Sequence, residues 1–454
     1  MLRSLVFCVC LMLAGCSTIS FNNLFNDYAS EVAPIRSAIK NNNLNKAQQL
    51  ISKRAHGHAN YLLNLLEQAR LADLNNDSQQ AKALYERIYQ QVQLDNQSAK
   101  LQLSTAVEQS NALLTNDSSI AYTPPRYEMS MLHSYKALNY IYDNNLEAAL
   151  VEIRRANQVQ KKALQDNQTQ INETQTLAQS HYPAMDELIG NIKNGFQNAF
   201  TYYLSALLYQ ANKQYDDAYI DYKKALEIMP NNQFIQQDLQ RLAKRQNFDI
   251  DFPVDQQSAK QISELPPEQG EVIIILEQGL VPSQVEFKIR LPINTSSGDA
   301  RFYSLALPAY NDMPYSTTLN NLMIDQQPLQ FSPLVNIESL AAKTLKDEMP
   351  SKLSRQLLRL YSKEKLREEI ARSAGNVGNI IANIYNLASE QADTRSWNTL
   401  PNKISVARYP LTPGIHSLNI INQSKINFSV SKQGLTLIYL TSINHYFNYH
   451  VVKL

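Results

Sequence analysis

Two kinds of patterning divide the chain. Up to about residue 246, apolar side chains recur every three or four positions, the period that gathers them on one face of an α-helix. After Asp249 that period stops, and short β-branched runs and strict alternations take over. Within the helical half a pattern of large and small residues repeats. Tyr215, Ala218, Tyr222 and Ala225 precede Pro230. The same spacing returns in Leu146, Ala149, Ile153 and Ala156, in Ala81, Tyr85 and Ile88, and in Leu44, Ala47 and Ile51. Ala47 and Ala81 lie 34 residues apart, Ala81 and Ala149 68, and Ala149 and Ala218 69, so each step is one or two units of about 34. Tyr202, Ala206 and Tyr209, like Ala137 and Tyr140 earlier, fall where a preceding helix needs a small side chain at a close crossing. Two stretches, near 96–126 and 164–198, keep helical periodicity (Leu101, Leu103, Val107, Leu113; Leu188, Ile189, Ile192, Phe196) without this signature. They read as lengthened helices or as spacers.

On these residues the region from about 24 to 246 resembles the tetratricopeptide-repeat family. The resemblance implies helical hairpins stacked into a superhelix, because one hairpin cannot bury its apolar face alone, with a concave surface that binds protein. Tyrosines are frequent here, among them Tyr85, Tyr135, Tyr203 and Tyr222, and most occupy helix-packing positions, which favours core over binding face. The run Val151-Glu152-Ile153-Arg154-Arg155 reads as a solvated or ion-paired helix face, with Glu152 in a groove as the alternative.

Glu264-Leu265-Pro266-Pro267-Glu268 is a stiff polar segment of the kind that joins domains. Beyond it Val272–Glu277 reads as a buried strand and Val285–Leu291 as a half-buried one, and a hairpin between them is the economical expectation. Further strands are expected at 300–307, 403–409, 415–421, 426–430, 434–441 and 446–452, with a helical stretch over 338–390. The expected fold is therefore multidomain: an all-α tetratricopeptide-like solenoid, then an α+β domain with a mainly antiparallel sheet and inserted helices. Gly375 and Gly378 invite comparison with a membrane dimerisation motif. Asn376, Asn379, Asn383 and Asn386 argue instead for a core or interfacial helix.

The first residues carry an address. Arg3 precedes an apolar run from Leu5 to Leu13, and Leu13-Ala14-Gly15-Cys16 has the lipobox pattern of bacterial lipoprotein signal peptides. The run is too short for a bilayer core that needs about 20 apolar residues. Resemblance to bacterial lipoproteins implies that Cys16 becomes the acylated first residue, held by three acyl chains. Ser17 in place of an aspartate implies sorting to the outer membrane, and the expected location is its periplasmic face. The expected divisions are a signal peptide over 1–15, a lipidated linker over 16–23, the helical domain over 24–250, a linker over 251–270 and the α+β domain over 271–454. With Cys8 and Cys10 removed, the mature chain holds no free thiol and no disulfide.

Composition changes this picture little. Of 454 residues, 44% are hydrophobic and 18% charged, a globular balance, and 42 basic against 41 acidic residues leave +1, which offers nucleic acid no global attraction. With eleven glycines the chain lacks G-x-G-x-x-G, G-x-x-x-x-G-K-[ST] and G-x-S-x-G, so nucleotide-binding folds are disfavoured. The seven histidines show no metal-ligand spacing, and His56-Gly57-His58 reads as surface loop. Ser-x-x-Lys occurs at Ser37/Lys40 and Ser362/Lys365 without a companion K-T-G. No catalytic residue, metal ligand or cofactor is expected, and the chain reads as a non-enzyme.

One short stretch stands apart. Ala392-Asp393-Thr394-Arg395-Ser396-Trp397-Asn398-Thr399-Leu400-Pro401 holds the only tryptophan. With the Val272–Glu277 strand and the repeats, it resembles an uncharacterised family of Gram-negative lipoproteins in which a tetratricopeptide-like half precedes a domain with an A-D-x-R-S-W-x-x-L-P stretch. Some members lie beside a lipoprotein activator of penicillin-binding proteins, which implies a setting in envelope or peptidoglycan assembly. Physically, Asp393 and Arg395 are spaced to brace a turn with Trp397 as an aromatic plug. The alternative is a ligand or partner site using Asp393, Arg395 and Trp397. The expected function is a lipid-anchored periplasmic scaffold that binds a protein partner through its helical superhelix. A saccharide-binding or enzymatic role on cell-wall material, peptidoglycan included, is the alternative.

Overall fold

The computed structural model describes residues 27–102, 118, 120–174, 194–248, 266, 268–294, 300–310, 322–349, 351–353, 355–356, 359, 391–420 and 425–454. The signal peptide and Cys16, the two cores of the degraded repeat stretches, the linker up to residue 265 and the helical expectation over 360–390, with Gly375, Gly378 and Ser362/Lys365, lie outside these residues.

The N-terminal region is helical: α1 (Tyr28–Lys40), α2 (Leu44–Leu50), α3 (Tyr61–Leu74), α4 (Ser78–Gln102), α5 (Arg126–Tyr142), α6 (Leu146–Thr174), α7 (Ala199–Ala211), α8 (Tyr215–Ile228) and α9 (Gln233–Gln246). Four hairpins, α1/α2, α3/α4, α5/α6 and α7/α8, share one turn. Its middle residue is left-handed: Asn42 (φ 56°), Asn76 (59°), Asn144 (56°) and Lys213 (60°). In each, the next residue donates its N–H to the carbonyl five positions back, as from Asn43 to Ala38, Asp77 to Ala72, Asn145 to Tyr140 and Gln214 to Tyr209. That is the closing bond of a Schellman cap, and asparagine tolerates the left-handed position better than most residues. In three of the turns the following Asn43, Asp77 or Asn145 then caps the next helix from its side chain. The left-handed residues are spaced 34, 68 and 69 apart, the same steps as the alanines. Helices α4 and α6 run on to Gln102 and Thr174, so the degraded stretches begin as lengthened helices.

The C-terminal region carries three sheets. The largest has the order β11-β10-β1-β7-β6, from β1 (Gly270–Gln278), β6 (Ser332–Asn336), β7 (Lys403–Leu411), β10 (Leu435–Ile443) and β11 (Tyr446–Lys453). A second pairs β2 (Val285–Asn294) with β3 (Ala300–Ala309). A third has the order β5-β4-β8-β9, from β4 (Leu322–Ile324), β5 (Gln327–Pro328), β8 (Gly414–Ile420) and β9 (Lys425–Val430). A helix, α10, covers 337–349, with further helical residues to 359. The largest sheet is mixed, since β1 runs parallel to β10, while the remaining pairings are antiparallel.

The expected hairpin between β1 and the next strand does not form. β1 is buried along its whole length and takes β10 and β7 as neighbours, whereas β2 pairs with β3. A strand apolar on both faces gains more from the centre of a sheet than from a two-stranded ribbon. Gly270 opens it, because a Cβ there would lie 2.1 Å from the Ser431 carbonyl oxygen.

The helices and the largest sheet share one hydrophobic core, to which Phe200, Tyr203 and Leu207 contribute from one side and Ile273, Ile275 and Tyr439 from the other. The first helix of each central hairpin is enclosed: eleven of thirteen residues of α7 are buried, against five of fourteen in α8. What encloses it is the sheet. Phe200 of α7 packs on Tyr439 of β10, Phe234 of α9 on Tyr409 of β7, and Tyr142 of α5 stacks 3.7 Å from His450 of β11.

Candidate functional site

The segment 391–402 runs without helix or strand into the seam between helices and sheet, and every residue from Thr394 to Asn402 is buried. Buried irregular backbone is costly unless each polar group finds a partner. Two glutamates take three successive backbone N–H groups of the segment. Glu128 of α5 accepts the Trp397 N–H at 2.9 Å, and Glu67 of α3 accepts the N–H groups of Asn398 at 2.8 Å and Thr399 at 3.2 Å, with the Thr399 hydroxyl besides. Arg36 of α1 donates to the carbonyls of Asn398 and Val281. The Leu400 carbonyl accepts from Val281, and the Asn402 N–H donates to Gln278 at the end of β1.

Trp397 is fully buried. Its ring sits 6.2 Å from that of Tyr85 and 6.0 Å from that of Tyr135, and its indole N–H donates to the Thr399 hydroxyl at 3.0 Å. Both carboxylates that carry the segment are shifted: burial pushes Glu67 and Glu128 up to about 7, against the donors that pull them down.

Asp393 and Arg395 form a fork-to-fork pair, Nε to Oδ1 and Nη2 to Oδ2, each at 2.7 Å. Nη1 of Arg395 reaches the Ile120 carbonyl at 2.8 Å and Asn60 Oδ1 at 3.2 Å, so the guanidinium ties 391–402 to the start of α3 and to the segment before α5. It also lies over the ring of Tyr122, 5.6 Å from the centroid. Burial works to raise the Asp393 carboxyl, and Arg395 outweighs it and holds it below the ordinary range.

The pair forms the floor of a cleft of about 410 Å³. One wall is the extended chain from Ile120 to Pro125. The other is one face of α10 and its continuation, where Ala341, Thr344, Leu345, Glu348, Lys352 and Arg355 recur at helical spacing. Gly195 lets the helical region approach this wall: a Cβ there would meet the Thr344 backbone at 2.6 Å, and the Thr344 hydroxyl donates to the Gly195 carbonyl at 2.7 Å. Lys352 pairs with Glu348 at 3.2 Å on the rim. Glu128 borders the cleft, yet its oxygens are engaged by Trp397 N–H and the hydroxyls of Tyr122 and Tyr127. No histidine or cysteine is among the described lining residues.

Of the residues singled out by sequence, Asp393 and Arg395 therefore share the cleft floor, whereas Trp397 lies behind it, closed off in the core. Cys16 lies outside the described residues. Glu152 is not solvated: it is buried, ion-paired with Lys136 at 3.0 Å and Arg155 at 2.8 Å, and hydrogen-bonded to His133 at 2.8 Å. His56 and His58 are exposed.

Three further ionic contacts cross the seam, and sequence reasoning did not find them. Arg70 of α3 and Tyr135 of α5 both reach Glu277 of β1, which also accepts from Thr441 at 2.9 Å. Arg408 of β7 pairs with Glu271 of β1 and, at 3.1 Å, with Asp238 of α9, while Arg241 closes the ring on both carboxylates. Burial would raise Glu271, but Arg408 and Arg241 hold it down to about 2. Among the described residues no group of three or more His, Cys, Asp or Glu is placed to hold a metal ion, and no helix is long and apolar enough to cross a membrane.

No known family model matches the chain, and no curated protein matches it either.

Proposed function

We propose that this protein is a lipid-anchored scaffold of the Gram-negative envelope that engages a protein partner at the cleft above Asp393 and Arg395. The helical half is of the tetratricopeptide type on this reading, supported by the 34-residue recurrence of both the alanines and the left-handed turns. The lipobox at Leu13–Cys16 supports acylation of Cys16 and placement at the outer membrane, in the periplasm.

The observation that carries the cleft is the enclosure of the first helices. In a free solenoid those helices line the concave surface where partners bind. Here that face packs on the chain's own sheet, so a partner cannot use it without displacing the buried pair of Arg70 with Glu277. The cleft combines concavity with a wall that carries Glu348, Lys352 and Arg355.

A photocrosslinker at Ser351 or Thr123, compared with one at Asp216 on the remote turn edge, tests this in intact envelopes. A discrete adduct from the cleft positions alone, diminished by Lys352→Glu, is the expected outcome. No adduct, or the same one from all three positions, refutes the cleft. Binding to cell-wall saccharide is the second reading, and sedimentation with isolated sacculi probes it. The two tyrosines that line the cleft speak against it, since Tyr127 is buried and the Arg395 guanidinium covers one face of Tyr122 that a sugar would stack on.

A further inference from the structure

The four-stranded sheet carries a titratable cluster remote from the cleft lining. His416 of β8 has Nδ1 2.6 Å from Asp325 Oδ2 and Nε2 2.7 Å from the Thr412 carbonyl oxygen. Both partners accept protons and neither donates one: a main-chain carbonyl has none to give, and the Asp325 carboxyl is held below its ordinary value by His416 and by Ser417. A neutral imidazole has a single N–H, so both contacts are hydrogen bonds only when the ring carries two protons. The second oxygen of Asp325 accepts from the Ser417 N–H at 2.9 Å and hydroxyl at 3.2 Å, and the Asp325 N–H donates back to the Ser417 carbonyl at 3.0 Å.

The ring thus bridges two turns. One is the β4–β5 turn, left-handed at Asp325 (φ 45°) and Gln326 (φ 74°); the other is the β7–β8 turn at Thr412. We propose that His416 is a proton-operated latch that ties the β4–β5 turn to the β7–β8 turn when doubly protonated and frees the β4–β5 turn on losing a proton. The β4–β5 ladder is short, since β4 pairs with β8 through Leu322, Met323 and Ile324 and β5 contributes two residues, so loosening is confined to the turn while Leu322 and Ile324 stay in the core.

The groups facing the ring come from three elements: Asp325 from the β4–β5 turn, the uncharged Thr412 carbonyl from the β7–β8 turn, and Phe428 of β9, 5.9 Å between ring centroids. Partial burial disfavours the charged ring, and Asp325 with the Thr412 carbonyl outweighs it, holding His416 above its ordinary value. The sign follows from linkage. With the folded value raised, the latch contributes fully below the unfolded histidine value of about 6.5 and is lost as pH climbs through the raised value.

The full-length protein tests this through ring nitrogen NMR and amide hydrogen exchange, each from pH 6 to pH 8.5. At pH 6 both His416 nitrogens are expected to carry protons. After correction for base catalysis, the Asp325 and Ser417 amides are expected to be at least about threefold better protected at pH 6 than at pH 8.5. In His416→Gln and in Asp325→Asn that difference disappears, while exchange in β1 and β10 stays unchanged. A single neutral tautomer at pH 6, or equal protection at both pH values in the unsubstituted protein, overturns the latch.

Discussion

The first and second helices of the hairpins make an informative pair, because they share one repeat and meet different surroundings. Helices α3, α5 and α7 are buried almost all round, and their polar residues, such as Arg70, Glu67 and Glu128, sit inside ion pairs or accept backbone N–H groups. Helix α8 keeps a wet face, with Ile220 half exposed and Lys224 ion-paired to its own helix neighbour Asp221. The difference lies in what packs on each. A solenoid stacks hairpin on hairpin and leaves one surface open; here the sheet and the 391–402 segment fill that surface, and the repeat becomes one layer of a larger core.

If that contrast is right, truncating the plug should have the largest effect. Trp397→Ala removes a ring packed between Tyr85 and Tyr135, and urea unfolding should register a loss of about 3–5 kcal/mol. A loss below about 1 kcal/mol would mean that the seam is not a core. Arg408→Met leaves the buried Glu271 and Asp238 to share Arg241 alone, and the cost should be about 3 kcal/mol. Retained stability there would show that the ion pair is dispensable.

Acidity sharpens the same comparison. Glu67 and Glu128 have folded values near 7 against an ordinary value of 4.5. Their contribution to stability is therefore full below about 4.5 and is lost as pH rises through about 7, on the order of 3 kcal/mol for each group. Thermal melts should show the protein more stable at pH 5 than at pH 8, and Glu67→Gln should flatten part of that slope. The smallest effect belongs to the wet helix, where Ile220→Ser should change stability by no more than about 0.5 kcal/mol.

Much of this was legible in the residues. Ala47, Ala81, Ala149 and Ala218 are all fully buried at the helix crossings that their spacing implied, and the strands from Lys403 onward fall close to their expected bounds. Asp393 and Arg395 form an ion pair, and Trp397 is a buried plug, as their chemistry suggested, although the pair ties the extended segment to Asn60 and Ile120 rather than bracing a turn. The turns Asn41-Asn42-Asn43 and Asp143-Asn144-Asn145 carried a readable left-handed cap signal that the alanine spacing overshadowed.

What stayed hidden was long-range. The parallel pairing of β1 with β10 joins residues more than 160 positions apart, and no local period encodes a partner. Glu67, Glu128 and Glu277 look like ordinary polar positions on their elements. They acquire their roles only when 391–402 and the sheet close over them. The short strands β4, β5 and β6 escaped notice because two to five residues carry too little pattern.

The central claim is that the sheet completes the helical array, and expression of residues 27–248 alone tests it most directly. Circular dichroism and sedimentation of that fragment should report aggregated or largely unfolded chain, because the inner faces of α3, α5 and α7 would be stripped of their cover. A soluble monomer with native helix content and a cooperative melt would contradict the account and restore an open helical groove as the place where a partner binds.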